Sequence, residues 1–212
     1  MSKVIDFSSW KRRSHFELFK QYDLPFFNIT AELDVTELHR RCCTPDGPSY
    51  FSASLFLAMK AVNEIEELRC RIRGDEVHVI DVLDAGSTVL LDDETFTFAY
   101  FDYFPDFSLF ADGVARRLDE ARNGNRKLEP ADHRDDLIHF SILPWISFTS
   151  ITHARRLGTN DSVPKIVFGK HLEASERRRM PVSIEAHHSL VDGLHVGRFF
   201  ARFQALLDDP PL

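Results

Sequence analysis

The chain has 212 residues, with 33 Asp and Glu against 26 Lys and Arg and a formal net charge of −7. That charge argues against nucleic acid as a main partner, and no apolar run is long enough to span a bilayer. With 43% apolar and 28% charged residues, the composition is that of a soluble globular protein, and one compact domain over residues 1–212 is expected.

Cys42, Cys43 and Cys70 are odd in number and lack zinc-type spacing, and Met1–Asp6 lacks a secretory pattern. Both features fit a reduced, cytoplasmic setting. Nineteen phenylalanines against two tryptophans imply a Phe-rich core or an aromatic pocket.

In chain order, Phe7–Phe19 reads as a helix with Ser8 or Ser9 as N-cap. Phe26–Leu33 reads as a strand with Phe27, Ile29, Ala31 and Leu33 on one face. A second helix starts at Asp34–Leu38, and Thr44–Pro48 is a loop. Ser52–Ile65 is apolar on too many sides for a surface helix and is expected to be buried. Arg71–Ile80 reads as a hairpin turning at Gly74-Asp75, followed by strands at Val89–Leu91 and Thr95–Tyr100.

Helical spacing returns over Phe107–Arg122, and Asn123–Asp132 carries the signals of a long loop. Leu137–Leu143 alternates and ends at Pro144-Trp145, and Val163–Phe168 is a further strand. Strands and helices mixed in this way predict a two-layer α/β sandwich with a mixed β-sheet.

The most informative stretch is Ile184–Phe200. Val182, Ile184 and Ala186 alternate with polar residues, the period of a half-buried strand. Val196, Phe199, Phe200, Phe203, Leu206 and Leu207 follow at helical spacing. His187 and His188 therefore fall where a strand gives way to a turn, with Asp192-Gly193 supplying turn chemistry through a glycine free to take positive φ. An imidazole at that place is a candidate general base, since its ordinary pKa of about 6.5 lies near neutral pH. Two alternatives remain at this level: a structural pair, or a metal site with His195 or Asp192 as further ligands. Adjacent strand residues point to opposite faces, which argues against metal.

The run His-His-x-x-x-Asp-Gly-x-His-Val-x-Arg-Phe resembles the chloramphenicol acetyltransferase family. Trp10–Phe16, Glu67–Arg69, Glu94–Phe96 and Ser141–Phe148 match further blocks of that family in order, from about Phe7 to Leu207. The resemblance implies an acetyl-CoA-dependent O-acetyltransferase, acting on chloramphenicol or a related alcohol. In it His188 is the general base for direct attack on the thioester, and Ser141 hydrogen-bonds the oxyanion. Asp192 pairs with Arg12 to hold the site's shape. Lys170, His171 and Trp145 fall on the CoA side with Ser141, and Leu18, Phe19, Phe96, Phe98, Ile151 and Val167 fall in the acceptor pocket. The family is a homotrimer with active sites between subunits, and its members confer antibiotic resistance.

Departures from the family concentrate in that pocket. Phe19 stands for a tyrosine, Phe98 for a small residue, Val167 for a threonine, and Glu129, Ile151 and His153 for apolar, mostly aromatic residues. Ser49 replaces a lysine near the CoA entrance, and Ser189-Leu190-Val191 replaces Ala-Val-Cys. Three functions follow as expectations: acetyl transfer to chloramphenicol, the same chemistry on another hydroxyl acceptor, or a trimeric binding protein without catalysis.

Overall fold

The computed structural model describes residues 1–124, 128, 131, 134–155, 161–174 and 176–212; Glu129 and much of the loop expected around it lie outside the described residues. Ten strands and five helices follow in the order β1 (Ser2–Val4), α1 (Arg13–Phe19), β2 (Phe26–Asp34), α2 (Thr36–Cys42), α3 (Tyr50–Asn63), β3 (Cys70–Arg73), β4 (Glu76–Ile80), β5 (Asp84–Leu90), β6 (Phe96–Phe101), α4 (Phe107–Asn123), β7 (Leu137–Leu143), β8 (Lys165–Gly169), β9 (Leu172–Ala174), β10 (Arg177–His187) and α5 (Gly193–Asp208). A 3-10 turn, Glu66–Arg69, precedes β3.

The main sheet runs β2-β10-β8-β7-β5-β6, with β9 on β10, and a small sheet runs β1-β4-β3. β7 lies parallel to both β5 and β8 while the other pairs are antiparallel, so the sheet is mixed. The helices form the second layer: α3 packs on α4 and α5, α5 on β2, and α4 on β5 and β6. The expected two-layer α/β sandwich is what the chain adopts.

Phenylalanine builds much of the seam between the layers. Phe140 of β7 meets Phe168 of β8, which stacks on Phe203 of α5, which in turn meets Phe199, at ring separations of 5.6, 5.9 and 5.7 Å. Each such buried ring contributes about 1.5–3 kcal/mol of transfer free energy.

Several local expectations need correction. Residues 7–12 are not helical: Asp6 closes a turn there by accepting from the Ser8 amide and hydroxyl at 2.9 and 2.8 Å, and α1 starts only at Arg13, with Arg12 rather than Ser8 or Ser9 at its N-cap. β10 is longer than its alternation indicated and is not half-buried, because Ser183, Glu185 and His187 are enclosed on the far side of the sheet as well. Gly193 does not use positive φ; among the described glycines only Gly74, in the β3–β4 turn, does so. Asp192 is instead the N-cap of α5.

One buried cation ties the two sheets together. Arg71 of β3 is fully enclosed and donates to the backbone carbonyls of Leu68, Cys70, Asp135 and Leu137 at 2.8, 2.7, 2.5 and 2.8 Å. Burial pushes its pKa down to about 10, still far above neutral pH, so the charge persists against these carbonyl dipoles. Two of the four acceptors lie at the start of β7, the strand that carries Ser141. Arg71→Met is expected to lower stability by at least about 3 kcal/mol, because buried acceptors left unmade cost roughly 1–3 kcal/mol each. Arg13→Ala, which removes only an exposed i,i+4 pair with Glu17, should cost under about 1 kcal/mol. Thermal unfolding of the two variants beside the parent checks both.

Candidate active site

His188 follows the last residue of β10. His187 pairs with Phe26 at the start of β2, and the His188 amide donates to the Pro25 carbonyl at 2.7 Å, so the ladder fixes the backbone up to the imidazole. The ring lies flat on Phe19 of α1, with centroids 4.0 Å apart and planes 5° from parallel, and tilts against Phe27 at 4.6 Å. Its Nδ1 is enclosed without a hydrogen-bond partner among the described residues, which leaves Nε2 as the nitrogen open to a ligand.

Behind His188 runs a chain of charge-assisted bonds within one protomer. The Arg12 guanidinium pairs with Asp192, and its Nη2 reaches the His188 carbonyl at 3.4 Å. Asp192 also accepts from the Leu194 amide at 3.0 Å, and its own amide donates to His195 Nδ1 at 3.1 Å. His195 Nε2 in turn lies 3.2 Å from Glu67. Burial alone would raise the Asp192 carboxyl, but Arg12, His195 and the Leu194 amide hold it below its ordinary value. Among the described residues, no hydrogen bond joins Asp192 to the His188 ring. Glu67, which the sequence offered only within a matched block, and His195, weighed there only as a possible metal ligand, are thus part of the support for His188.

His187 has a different environment. Its Nδ1 accepts from the Ser189 amide at 3.2 Å, its ring meets Phe26 edge-on at 5.0 Å, and burial with Arg155 nearby pushes it down to about 4. It is a neutral structural histidine at physiological pH. Among the described residues no three His, Cys, Asp or Glu side chains gather as a metal-holding set.

Ser141 sits elsewhere on the sheet, in a cleft of about 590 Å³. It pairs with Val167 of β8, which pairs with Ser183 of β10. From Ser183 to His188 is five residues of extended chain, and from β10 to β7 is two strand spacings, so Ser141 and His188 of one protomer lie roughly 20 Å apart. The fold does not bring the two together within a chain.

Two residues below Ser141 on the same face, a second rung crosses the sheet: Glu185, Lys165, His139, Gly86 and Tyr100 stand in register. Gly86 leaves room there: a Cβ would lie 3.1 Å from the Tyr100 ring and 3.3 Å from His139 Nδ1, close enough to press both rings aside. Glu185 accepts from Arg155 at 2.7 Å and lies 3.3 Å from His153. Burial would raise this carboxyl, yet those two partners bring it down to about 2. Arg155 further bonds Asp161 at 2.8 Å and lies over the Phe26 ring at 3.8 Å. Burial and the Lys165 charge push His139 down to about 4. Of these residues the sequence reading singled out only His153. The period-2 step from Ser141 to His139, and from His187 to Glu185, was the available signal.

The remaining candidates divide between these places. Phe98 lines the Ser141 cleft, with Phe96 edge-on to it at 5.7 Å and exposed. Phe19 stacks on His188, while Leu18 beside it is exposed and Ile151 is half-buried. Val167 does not line the cleft: it is fully buried, whereas Lys165, two residues before it on the same face of β8, does line it. Trp145 is 62% exposed and near Lys170, whose amide donates to the Ile146 carbonyl at 2.8 Å. His171 instead packs against His39 and Tyr50 at 5.3 and 5.7 Å.

A family model described as chloramphenicol acetyltransferase matches residues 2–204. Chloramphenicol acetyltransferase 2 of Escherichia coli is 30% identical over 97% of this chain and 96% of its own length. The chloramphenicol acetyltransferase of Streptomyces acrimycini is 31% identical over 97% and 94%. A solved chloramphenicol acetyltransferase structure superposes with a TM-score of 0.88 at 28% identity, over 98% of this chain and all of the other. On the match of nearly its whole length to that model, the chain belongs to the chloramphenicol acetyltransferase family.

Proposed function

We propose that this protein is a cytoplasmic O-acetyltransferase that moves the acetyl group of acetyl-CoA to an acceptor hydroxyl. The observation that carries the reading is His188: a half-buried imidazole clamped flat on Phe19, with its backbone tied at both amide and carbonyl and Nε2 left open. In the proposed reaction Nε2 takes the proton of the acceptor hydroxyl as its oxygen attacks the thioester carbonyl. The Ser141 hydroxyl donates to the oxyanion of the tetrahedral intermediate. Collapse gives the O-acetyl ester and CoA, whose sulfur recovers the proton from the imidazolium. Stacking on Phe19 keeps the ring from turning, so little orientational freedom is lost on the way to the transition state.

The separation of His188 and Ser141 within one chain supports a site shared between chains. In a homotrimer, as the family resemblance implies, His188 of one subunit would face the Ser141 cleft of the next. Lys170 and Trp145, exposed side by side, suit the phosphates and adenine of CoA, with His171 adjoining them. Arg12 and Asp192 act through the backbone of His188 and are positioning residues. Chloramphenicol is the first acceptor to test because it is the one named in the relatives, and its acetylation would give the host resistance. A second reading keeps the chemistry and changes the acceptor; the charged rung below Ser141 favours it.

Release of free thiol from acetyl-CoA, followed with chloramphenicol and other alcohols present, tests the proposal; no release above hydrolysis with any hydroxyl compound would refute acetyl transfer. With an active acceptor, His188→Ala should lower turnover by about 10²–10⁴-fold at unchanged thermal stability. Ser141→Ala should lower it by about 10²–10³-fold. Asp192→Ala should reduce turnover and the thermal midpoint together, because it removes the N-cap of α5 as well as the Arg12 pair.

A further inference from the structure

The cleft beside Ser141 has an uncommitted cation at its floor. Lys165 stands level with His139 on the neighbouring strand, one residue pair below Ser141 and on the same face. Its Nζ donates to the Ala154 carbonyl at 2.9 Å, which uses one of three N–H donors. Glu185 is directly opposite on β10, yet its two oxygens are taken by His153 and Arg155. Asp161 is likewise engaged by Arg155 and by the Val163 amide. No described carboxylate pairs with Lys165. Burial and Arg155 outweigh the nearby charges of Asp161 and Glu185 and hold its amine below the ordinary lysine value, so the charged form is penalised where it stands and an incoming anion would relieve that penalty. Arg155, which also lines the cleft, has an enclosed Nη2 with no acceptor among the described residues. Arg155 is paired with Glu185 and Asp161 and this nitrogen is closed off from the cleft, so the donors offered to a ligand there are those of Lys165.

We propose that the acceptor is an alcohol bearing a carboxylate or similar anion roughly 7 Å from the reacting hydroxyl, the span of two strand residues, with Lys165 as the residue that selects it. This rests on the acetyl-transfer reading for its hydroxyl end, while the anion end stands on the cleft alone. With the hydroxyl beside Ser141, the anion reaches the rung of His139 and Lys165. His139, neutral at physiological pH, offers it no opposing charge. A neutral analogue leaves the cation of Lys165 desolvated and unpaired, and that difference gives the selectivity.

The probe is 4-(hydroxymethyl)benzoate, whose para arrangement gives a comparable span, set against its methyl ester and chloramphenicol. Binding to the parent protein, Lys165→Gln and Lys165→Arg is measured by calorimetry, and turnover by thiol release. The expected result is binding of the acid at least about tenfold tighter than the ester. Lys165→Gln should abolish that preference, Lys165→Arg should keep it, and the KM for acetyl-CoA should be the same in all three proteins. Lys165-dependent binding of the acid with no thiol release from it, its ester, chloramphenicol or any other alcohol tried would uphold the anion site and overturn the transfer reading. Thiol release with the ester or chloramphenicol at an efficiency equal to the acid's would uphold transfer and overturn the anion site. Failure of the parent to bind the acid, or equal loss of acid and ester binding in Lys165→Gln, would also overturn it.

Discussion

The Arg12–Asp192 ion pair joins two points 180 residues apart in sequence, and the geometry around His188 depends on it. Asp192 caps α5 while Arg12 precedes α1, so the pair brings the first helix onto the end of β10. That docking sets Phe19 flat against the imidazole. With side chains 14% and 32% exposed, the pair lies between a surface bridge, worth about 0–1 kcal/mol, and a buried one, whose breaking costs about 3–5 kcal/mol. Arg12 also holds the His188 carbonyl, and His195 with Glu67 backs Asp192 from the other side. The imidazole is thus positioned through its backbone and its ring face, leaving one nitrogen uncommitted.

Sheet geometry imposes the second constraint. β10 and β7 are separated by β8, and their register sets Ser141 level with Ser183. No rotamer spans the resulting gap of roughly 20 Å. In the proposed reaction, a centre containing both His188 and Ser141 would therefore draw on two chains. The polar far face of the sheet is ordered as well: Ser183, Glu185 and His187 are buried there and each has a hydrogen-bond or ion-pair partner.

What the sequence revealed follows the range of the interactions involved. β7 has the bounds its alternation indicated, because one strand's period is a local property. The buried helix α3 was legible for the same reason, shifted by two residues once Ser49 took the N-cap. Features that depend on distant partners were not legible. The alternation of Val182, Ile184 and Ala186 marks one apolar face, but enclosure of Ser183, Glu185 and His187 comes from elsewhere in the fold. Arg71 looked like an ordinary hairpin residue, and its burial is decided by carbonyls of Asp135 and Leu137 more than sixty residues away. At the candidate site, His188, Ser141, Asp192 and Arg12 were named from motif and resemblance, whereas the Glu185–Lys165–His139 rung emerged only when three strands were laid in register.

The account is tested most directly by complementation between two inactive chains. His188→Ala and Ser141→Ala chains, carrying different tags and co-expressed, are purified as assemblies containing both. If the centre is shared between the subunits of a trimer, each mixed trimer holds one intact site of three, combining His188 of a Ser141→Ala chain with Ser141 of a His188→Ala chain, and about a third of parental activity returns. Mixed assemblies no more active than the two variants alone would contradict the account.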